Sequence, residues 1–196
     1  MPTKLLTAIN EHNNLKSICE ARLPQKRNPQ IVISDIDHTD QDKNAEEEEF
    51  VSRLKIDNNL PPGNIRALFR KPSRGTKSHW VLSVSPNIFK SLKTEKRLHF
   101  GFGSKKFKEH LEPIRCQNCL KFRHSKGNCN SPTACGKCIE NHSTKTCQKT
   151  NKICRFCRES NQKQKISYRT DHAATSLNCP LYHRNIARLH AYTNYE

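Results

Sequence analysis

The chain has 196 residues, of which 33% are hydrophobic, and its formal net charge at pH 7 is +17. This length accommodates one domain of ordinary size, roughly 100 residues, plus small modules that need little core of their own. A second large apolar core is excluded, so something besides apolar burial must organise part of the chain. We expect no transmembrane span and no secretory signal, because Thr7 interrupts the apolar cluster over residues 5–9.

The positive charge is concentrated in the second half of the chain. Residues 104–196 hold 18 Lys and Arg against 6 Asp and Glu, so they carry +12 of the +17. A solvated basic face is the simplest account of a charge run, but an excess of this size favours a polyanionic partner. We therefore expect nucleic acid as the partner, ahead of an anionic membrane, and no small-molecule substrate.

The first 29 residues are predicted to form a short helix and a linker. Leu5, Ile9, Leu15 and Ile18 recur at near-helical spacing, and a polar, basic run leads to Pro29. The predicted helix starts almost at the first residue, so a fragment of a longer protein is also an interpretation of this sequence.

Residues 30–111 have the pattern of one α+β domain. The apolar run over residues 31–36 predicts a buried strand, and Asn44, with Glu47 three residues later, is the expected N-cap of a helix. Further strands are predicted over 65–70, 80–84 and 98–102, and a second helix over 88–97. The last strand would present Leu98, Phe100 and Phe102 on one apolar face. The order βαββαβ is that of the ferredoxin-like fold, which RNA-recognition motifs (RRMs) share.

An RRM stacks bases on aromatic side chains of its two central strands. Residues 31–36 contain no aromatic residue, and the third strand has only Trp80, which would fit a core position equally well. We therefore expect this RRM-like domain to be a scaffold or a self-association unit.

Three sets of cysteine and histidine at metal-ligand spacing are the strongest signal in the chain. Each set has the order Cys, Cys, His, Cys, so three thiolates and one imidazole can close a tetrahedral zinc site. The sets are Cys116, Cys119, His124 and Cys129; Cys135, Cys138, His142 and Cys147; and Cys154, Cys157, His172 and Cys179. They predict three zinc knuckles over residues 112–182, three Zn²⁺ ions per chain, and a basic tail over 183–196. The tenth cysteine, Cys19, is expected to be half-buried.

Cysteine usage also bears on compartment and on the role of the metal. Ten cysteines without a predicted export signal favour metal-binding thiols over disulfides, and hence the cytoplasm or the nucleus. Four protein ligands leave no open position for water, which disfavours metal catalysis. A RING-like cross-brace, with ligand pairs interleaved between two ions, is the structural alternative.

The knuckles differ in two details. Zinc knuckles commonly have Gly before the ligand histidine, whereas this chain has Arg123, Asn141 and Asp171. Because Arg tolerates a left-handed backbone poorly, knuckle one is expected to be strained or to turn differently. The third knuckle has 14 residues between its second cysteine and its histidine, where three or four are usual. Compared with that short loop, a flexible loop of 14 residues costs roughly 1.2 kcal/mol more in closure entropy. We therefore expect the third site to release zinc first.

Basic residues around the knuckles are the predicted phosphate contacts. They are Lys105, Lys106, Lys108, Arg115, Lys121, Arg123, Lys126, Lys145, Lys149, Lys152, Arg155 and Arg158. Phe122, just before the first ligand histidine, either stacks on an unpaired base or plugs the knuckle as a small hydrophobic side chain.

A rival catalytic interpretation starts from Asp35 and Asp37. The stretch Ile31–Thr39 is similar to the first motif of haloacid-dehalogenase-type phosphatases, in which the first Asp is the nucleophile. Such an enzyme also needs a doubly wound sheet and a later acidic pair. We instead expect these residues to lie in a turn at the end of a strand, and the protein not to be an enzyme.

The knuckle array, the βαββαβ segment before it and the ending of the chain together resemble the Gag-like first-frame proteins of arthropod non-LTR retrotransposons, with the Jockey and X-element types nearest. The ending that carries the resemblance is Cys179-Pro180-Leu181-Tyr182, followed by Arg188-Leu189 and Thr193-Asn194-Tyr195. The similarity extends from about residue 28 onward. Arg123 and the long third loop depart from the family pattern.

This resemblance implies RNA and single-stranded DNA as partners. Members of the family coat their element's RNA in a ribonucleoprotein, and some act as nucleic-acid chaperones. It also implies that the twelve cysteines and histidines of the three sets are the zinc ligands. A host cellular zinc-knuckle RNA-binding protein is the alternative.

Overall fold

A computed structural model describes residues 2–22, 25–37, 42–95 and 97–196. Its helices are α1 (Pro2–Glu11), α2 (Lys43–Asp57), α3 (Pro86–Lys93), α4 (Arg155–Gln164) and α5 (Pro180–Ala191). Its strands are β1 (Gln30–Asp37), β2 (Ile65–Pro72), β3 (Lys77–Val84), β4 (Arg97–Phe100) and β5 (Gly103–Glu109). Within these described ranges, no helix has both the length and the apolar character needed to cross a membrane.

The strands form one antiparallel sheet in the order β2-β3-β1-β5-β4. The predicted fourth strand is therefore an edge strand, and an additional strand, β5, pairs with β1. A tight turn at Gly101, where φ is +57°, separates β4 from β5. Phe102 lies in this turn and is fully exposed, so the expectation that it shares a strand face with Leu98 is wrong.

The apolar core lies between one face of the sheet and helices α2 and α3. Trp80 is 1% exposed, its indole N–H donates to Ser78 Oγ at 3.0 Å, and its ring lies 4.3 Å from that of Phe50. This tryptophan is therefore a core residue. The other buried members of the cluster are Ile31, Ile33, Ile36, Leu54, Ile65, Leu82, Val84, Ile88, Phe89, Leu92 and Leu98.

The N-cap of helix α2 lies two residues earlier than expected. Asp42, and not Asn44, is the N-cap, because the Asp42 carboxylate accepts a hydrogen bond from the Asn44 backbone N–H at 3.0 Å. Glu46 in the first turn is buried and pairs with Arg70 of β2. The Arg70 guanidinium also lies 3.9 Å from the Trp80 ring centroid, so it joins α2 to the sheet over the core.

Asp35 lies within β1 at an irregularity of its pairing with β3, and Asp37 is the last residue of β1, paired with Lys77, so neither lies in a turn after the strand. Asp35 has a φ of 58°, a conformation that Asp tolerates, and its carboxylate accepts from Ser73 Oγ at 2.9 Å. Asp37 pairs with Lys77 and Lys105. The antiparallel sheet also differs from the doubly wound sheet that the phosphatase interpretation requires.

The predicted basic tail is largely helical, because α5 covers residues 180–191. Its end packs back onto the first half of the chain, where Arg27 N–H donates to Tyr192 O at 3.0 Å and Asn194 N–H donates to Arg27 O at 2.8 Å. The Tyr195 hydroxyl donates to a Glu109 carboxylate oxygen of β5, and burial together with that carboxylate raises the pKa of Tyr195 to about 12. Residues 192–196 therefore tie α5 to the sheet.

Two of the apolar residues of the N-terminal segment are largely exposed to solvent. Leu5 of α1 is 65% exposed and Ile18 is 79% exposed. Cys19 is also exposed, contrary to the expectation of a half-buried side chain.

Phe50 and Phe102 provide a test of this core. Phe50 is 4% exposed, so we expect Phe50→Ala to reduce the free energy of unfolding by about 3 to 5 kcal/mol. Phe100 is only half-buried, so its replacement by Ala should cost less. Urea unfolding followed by fluorescence of Trp80, the single tryptophan, measures both. Phe102→Ala is the control and should stay within about 0.5 kcal/mol of the parent; equal losses in all three variants would contradict this core.

Candidate zinc centres and nucleic-acid interface

Three clusters of metal-ligating side chains form in the second half of the chain, and they contain the twelve residues that the spacing predicts. In each cluster the candidate ligand atoms all lie within 4.8 Å of one another. The clusters are sequential along the chain, with no interleaved pairs, so the cross-brace alternative is wrong. They comprise Cys116, Cys119, His124 and Cys129; Cys135, Cys138, His142 and Cys147; and Cys154, Cys157, His172 and Cys179.

The donor atoms fit a tetrahedral zinc ion. Zn–S bonds of about 2.3 Å and Zn–N bonds of about 2.0 to 2.1 Å place neighbouring ligand atoms about 3.5 to 3.8 Å apart. Cys157 Sγ lies 3.6 Å from His172 Nε2 and 3.5 Å from Cys179 Sγ. Other pairs lie close to this range, with 3.2 Å between Cys119 Sγ and His124 Nε2 and 4.0 Å between Cys154 Sγ and Cys179 Sγ. Three thiolates and an imidazole are a donor set that zinc favours. Each cluster can therefore hold one Zn²⁺ ion as a closed, structural site.

Asn118 supports the first site without being a ligand. Its backbone N–H donates to Cys116 Sγ at 3.3 Å, and its side-chain N–H donates to Cys129 Sγ at 3.4 Å and to Ser131 O at 2.8 Å. The bond from Asn118 is the largest of the interactions that lower the pKa of Cys129 to about 6. The ligand spacing gives no signal for this residue, since its role depends on the folded loop.

Backbone strain occurs in knuckle one. Arg123 has a φ of 81°, in the left-handed region that costs a residue with a side chain roughly 1 to 2 kcal/mol. Of the two outcomes that the sequence left open for this knuckle, strain is therefore the one observed. Neither Asn141 nor Asp171 has a positive φ, so the two residues better suited to that conformation do not use it.

The long loop of the third site is ordered by local structure. Helix α4 begins after Cys154 and covers half of the loop, and the Asn161 side chain then makes two hydrogen bonds of 2.8 Å to the Tyr168 backbone. Cys179 serves as the N-cap residue of α5. The premise of a flexible loop does not hold, and the loop-closure penalty expected from the sequence is accordingly reduced.

The three knuckles pack into one array. Ala134 N–H donates to Asn118 O at 3.0 Å, which joins knuckles one and two, and Ala174 N–H donates to Gly136 O at 2.7 Å, which joins two and three. A Cβ atom at Gly136 would lie 3.2 Å from both Thr144 Oγ1 and Thr175 Cγ2, so the close contact favours glycine. Leu120 of knuckle one also packs against the cysteines of the third site.

Arg115 contacts both knuckle one and α5 and so joins them. It forms a β-bridge with Phe122, its guanidinium lies 5.0 Å from the Phe122 ring centroid and 5.2 Å from that of Tyr182, and it donates to Ala174 O at 3.1 Å. Phe122 is half-buried beneath it. The sequence gives no signal for this contact of Tyr182, because its approach to Arg115 depends on the packing of knuckles one and three.

The predicted phosphate contacts fall into two groups. Lys105 donates to Asp35 O at 2.8 Å, Lys149 pairs with Glu140, and Arg155 donates to Asn141 Oδ1 at 2.7 Å. With Arg115, these cations are already engaged. In the part of the chain that the structure describes, no side-chain hydrogen bond or ion pair is found for Lys106, Lys108, Lys121, Arg123, Lys126, Lys145, Lys152 and Arg158, which lie on β5 and around the array.

Comparisons with known proteins support the resemblance seen in the sequence. The chain is 29% identical, over 100 residues, to the nucleic-acid-binding protein from mobile element jockey of Drosophila melanogaster. The match covers 51% of this chain and 16% of that protein. No protein-family profile matches the chain, and no solved structure matches it. The predicted similarity to Jockey-type elements is confirmed.

The order in which the three sites release zinc should follow the burial of their cysteines. Cys154, Cys157 and Cys179 are all buried, whereas Cys129 and Cys147 are half-exposed. We therefore expect three zinc ions per chain, with the third site the last to release its ion to a chelator, the reverse of the order expected from loop length. Native mass spectrometry gives the stoichiometry, and alkylation of each cysteine during chelation gives the order.

Asn161→Ala is the matched variant for that experiment. It removes both hydrogen bonds that close the third loop, so it should make the third site release its ion earlier without changing the first two. Release of all three ions at one rate in the parent protein would contradict the expected order.

Proposed function

We propose that this chain is a zinc-dependent protein of a non-LTR retrotransposon that binds RNA and single-stranded DNA, coats the RNA of its element and acts as a nucleic-acid chaperone. The observation that carries the proposal is the packed array of three Cys₃His clusters, surrounded by cations that have no partner in the described part of the chain. The similarity to the jockey protein supports it. Because the match covers 16% of that relative, the activity of a whole protein of this kind is part of the proposal.

The α+β unit is proposed to be a ferredoxin-like, RRM-like scaffold with one addition. If β4 is taken as an extra edge strand, the remaining elements have the order βαββαβ, with β1 between β3 and β5. Trp80 of β3 lies in the core, and β1 has no aromatic residue. The scaffold would position the array through β5 and through the contacts of Tyr195.

Binding in this proposal is mainly electrostatic. Lysine and arginine side chains that neutralise phosphates release condensed counterions, and this contribution is nearly independent of sequence. Lys121 and Lys126 of knuckle one, with Lys145 of knuckle two, are exposed cations of this kind. Phosphate contacts along the array would hold an extended single strand while leaving its bases available for annealing.

Salt dependence provides the test, with the full chain as the protein. A fragment that begins at residue 104 would divide β5, which starts at Gly103 and pairs with β1. We expect tight binding of a labelled single-stranded RNA, measured by fluorescence anisotropy, that weakens steeply between about 50 and 200 mM salt. Lys126→Ala and Lys145→Ala should each lower the slope of log K against log salt by about 0.7.

Lys149→Ala is the matched control. Lys149 already pairs with Glu140, so its removal should change the salt slope less than removal of Lys145 does. Binding of duplex DNA as tight as that of single-stranded RNA, with no salt dependence, would overturn the proposed function.

A further inference from the structure

A groove with a volume of ≈ 360 Å³ lies between knuckle one and helix α5. Phe122 and Arg123 line it from the knuckle, and Arg188, Leu189 and Tyr192 line it from the helix. The groove thus combines aromatic rings with two guanidinium groups. No carboxylate is among the described residues that line it.

Both walls of the groove are held in place by backbone hydrogen bonds. On the knuckle side, Arg123 N–H donates to Ile114 O at 2.9 Å, and the β-bridge from Arg115 holds Phe122. On the helix side, α5 starts at the ligand Cys179 and is fastened at its other end by the bonds between Arg27 and residues 192–194. The groove is therefore formed before a ligand arrives, which lowers the entropic cost of binding.

The exposed side chains of the groove have the chemistry of a base-binding site. Tyr192 is 56% exposed, and the Arg188 guanidinium lies 5.6 Å from its ring centroid. Aromatic rings stack on unpaired bases, and arginines bind the adjacent phosphates or stack in turn. An apolar peptide would use the rings and Leu189 but would leave the two cations without partners.

Arg123 also lies at the turn before the ligand histidine His124, where a zinc knuckle commonly has glycine. The backbone there has a φ of 81°, which glycine would adopt without cost, yet the residue is an arginine whose side chain lines the groove. Leu120 of the same knuckle is buried and also has a positive φ, so the turns of the knuckle account for the strain. The support for a ligand is the position of the arginine beside the aromatic rings of the groove.

We propose that this groove binds one unpaired nucleobase of a single-stranded RNA, stacked against Phe122 and Tyr192, while Arg123 and Arg188 contact the phosphates that flank it. The inference rests on the proposed function and adds a defined subsite to it. It makes α5, far from knuckle one in the sequence, part of the same nucleic-acid interface.

The experiment compares two RNAs of equal charge on the zinc-loaded chain of residues 1–196. One is a 12-residue oligouridine, and the other has the same backbone with abasic residues at its centre. The parent should bind the base-containing strand roughly tenfold more tightly, within the range for stacking of a base on an aromatic ring. Tyr192→Ala should reduce that preference severalfold. Phe102→Ala, which removes an exposed aromatic residue outside the groove, should leave the preference unchanged.

Arg123→Gly separates the binding role from a structural one. Glycine relieves the backbone strain, so zinc retention should equal or exceed that of the parent, while RNA affinity should fall severalfold. Arg184→Ala removes the same charge from α5 at a residue bonded to Gln164, and should have the smaller effect. Arg188→Ala provides a further test of the groove that leaves the knuckle sequence intact.

The outcomes distinguish the two proposals. If the parent binds RNA with the expected salt dependence but Tyr192→Ala and Arg188→Ala keep the full preference for bases, the groove is not a base site and the proposed function stands. If the parent binds neither strand, both proposals fail. Loss of zinc from Arg123→Gly would show that Arg123 is structural, which would overturn its assignment to the groove.

Discussion

Coordination of metal by nine thiols and three imidazoles is the interaction on which residues 116–179 depend. Apart from the ligand cysteines, the segment has four buried residues, and three of them are small. They are Leu120, Ala134, Gly136 and Ala174. So little apolar burial cannot offset the conformational entropy lost on folding. Zinc binding therefore supplies folding free energy here, and the packing of the knuckles against one another follows from it.

The third site extends this dependence to the rest of the molecule. Cys179 is both a candidate ligand and the N-cap of α5, and the far end of that helix is tied to the α+β unit through Arg27 and Tyr195. Loss of the third ion would release the helix at one end only. The wall that α5 contributes beside knuckle one would then lose its fixed position, although the ligands of knuckle one would be unaffected.

The sequence predicted the parts of the structure that short-range covalent spacing determines. All twelve candidate ligands could be read from it, because each site closes over few residues and requires particular side chains. Strand β5 could not, since Lys105, Lys106 and Lys108 leave Phe107 as its one large apolar residue and its place beside β1 is set by tertiary pairing. The groove beside α5 was missed for the same reason: its two walls meet only after the array and the C-terminal residues have packed.

Positive charge and backbone strain occur together at one residue of knuckle one, Arg123. Three Zn²⁺ ions with three thiolates each contribute −1 per site, so residues 104–196 would change from +12 to +9 and remain strongly cationic. Several cations in this half are neutralised locally, as Lys149 is by Glu140, whereas Arg123 has no such partner among the described residues. Knuckle one therefore carries both an unfavourable backbone conformation and an unneutralised guanidinium at one residue. Because Arg123 is exposed, water solvates its guanidinium and the missing carboxylate costs the knuckle little. The charge therefore stays available for a charge-assisted hydrogen bond, as the proposed phosphate contact requires.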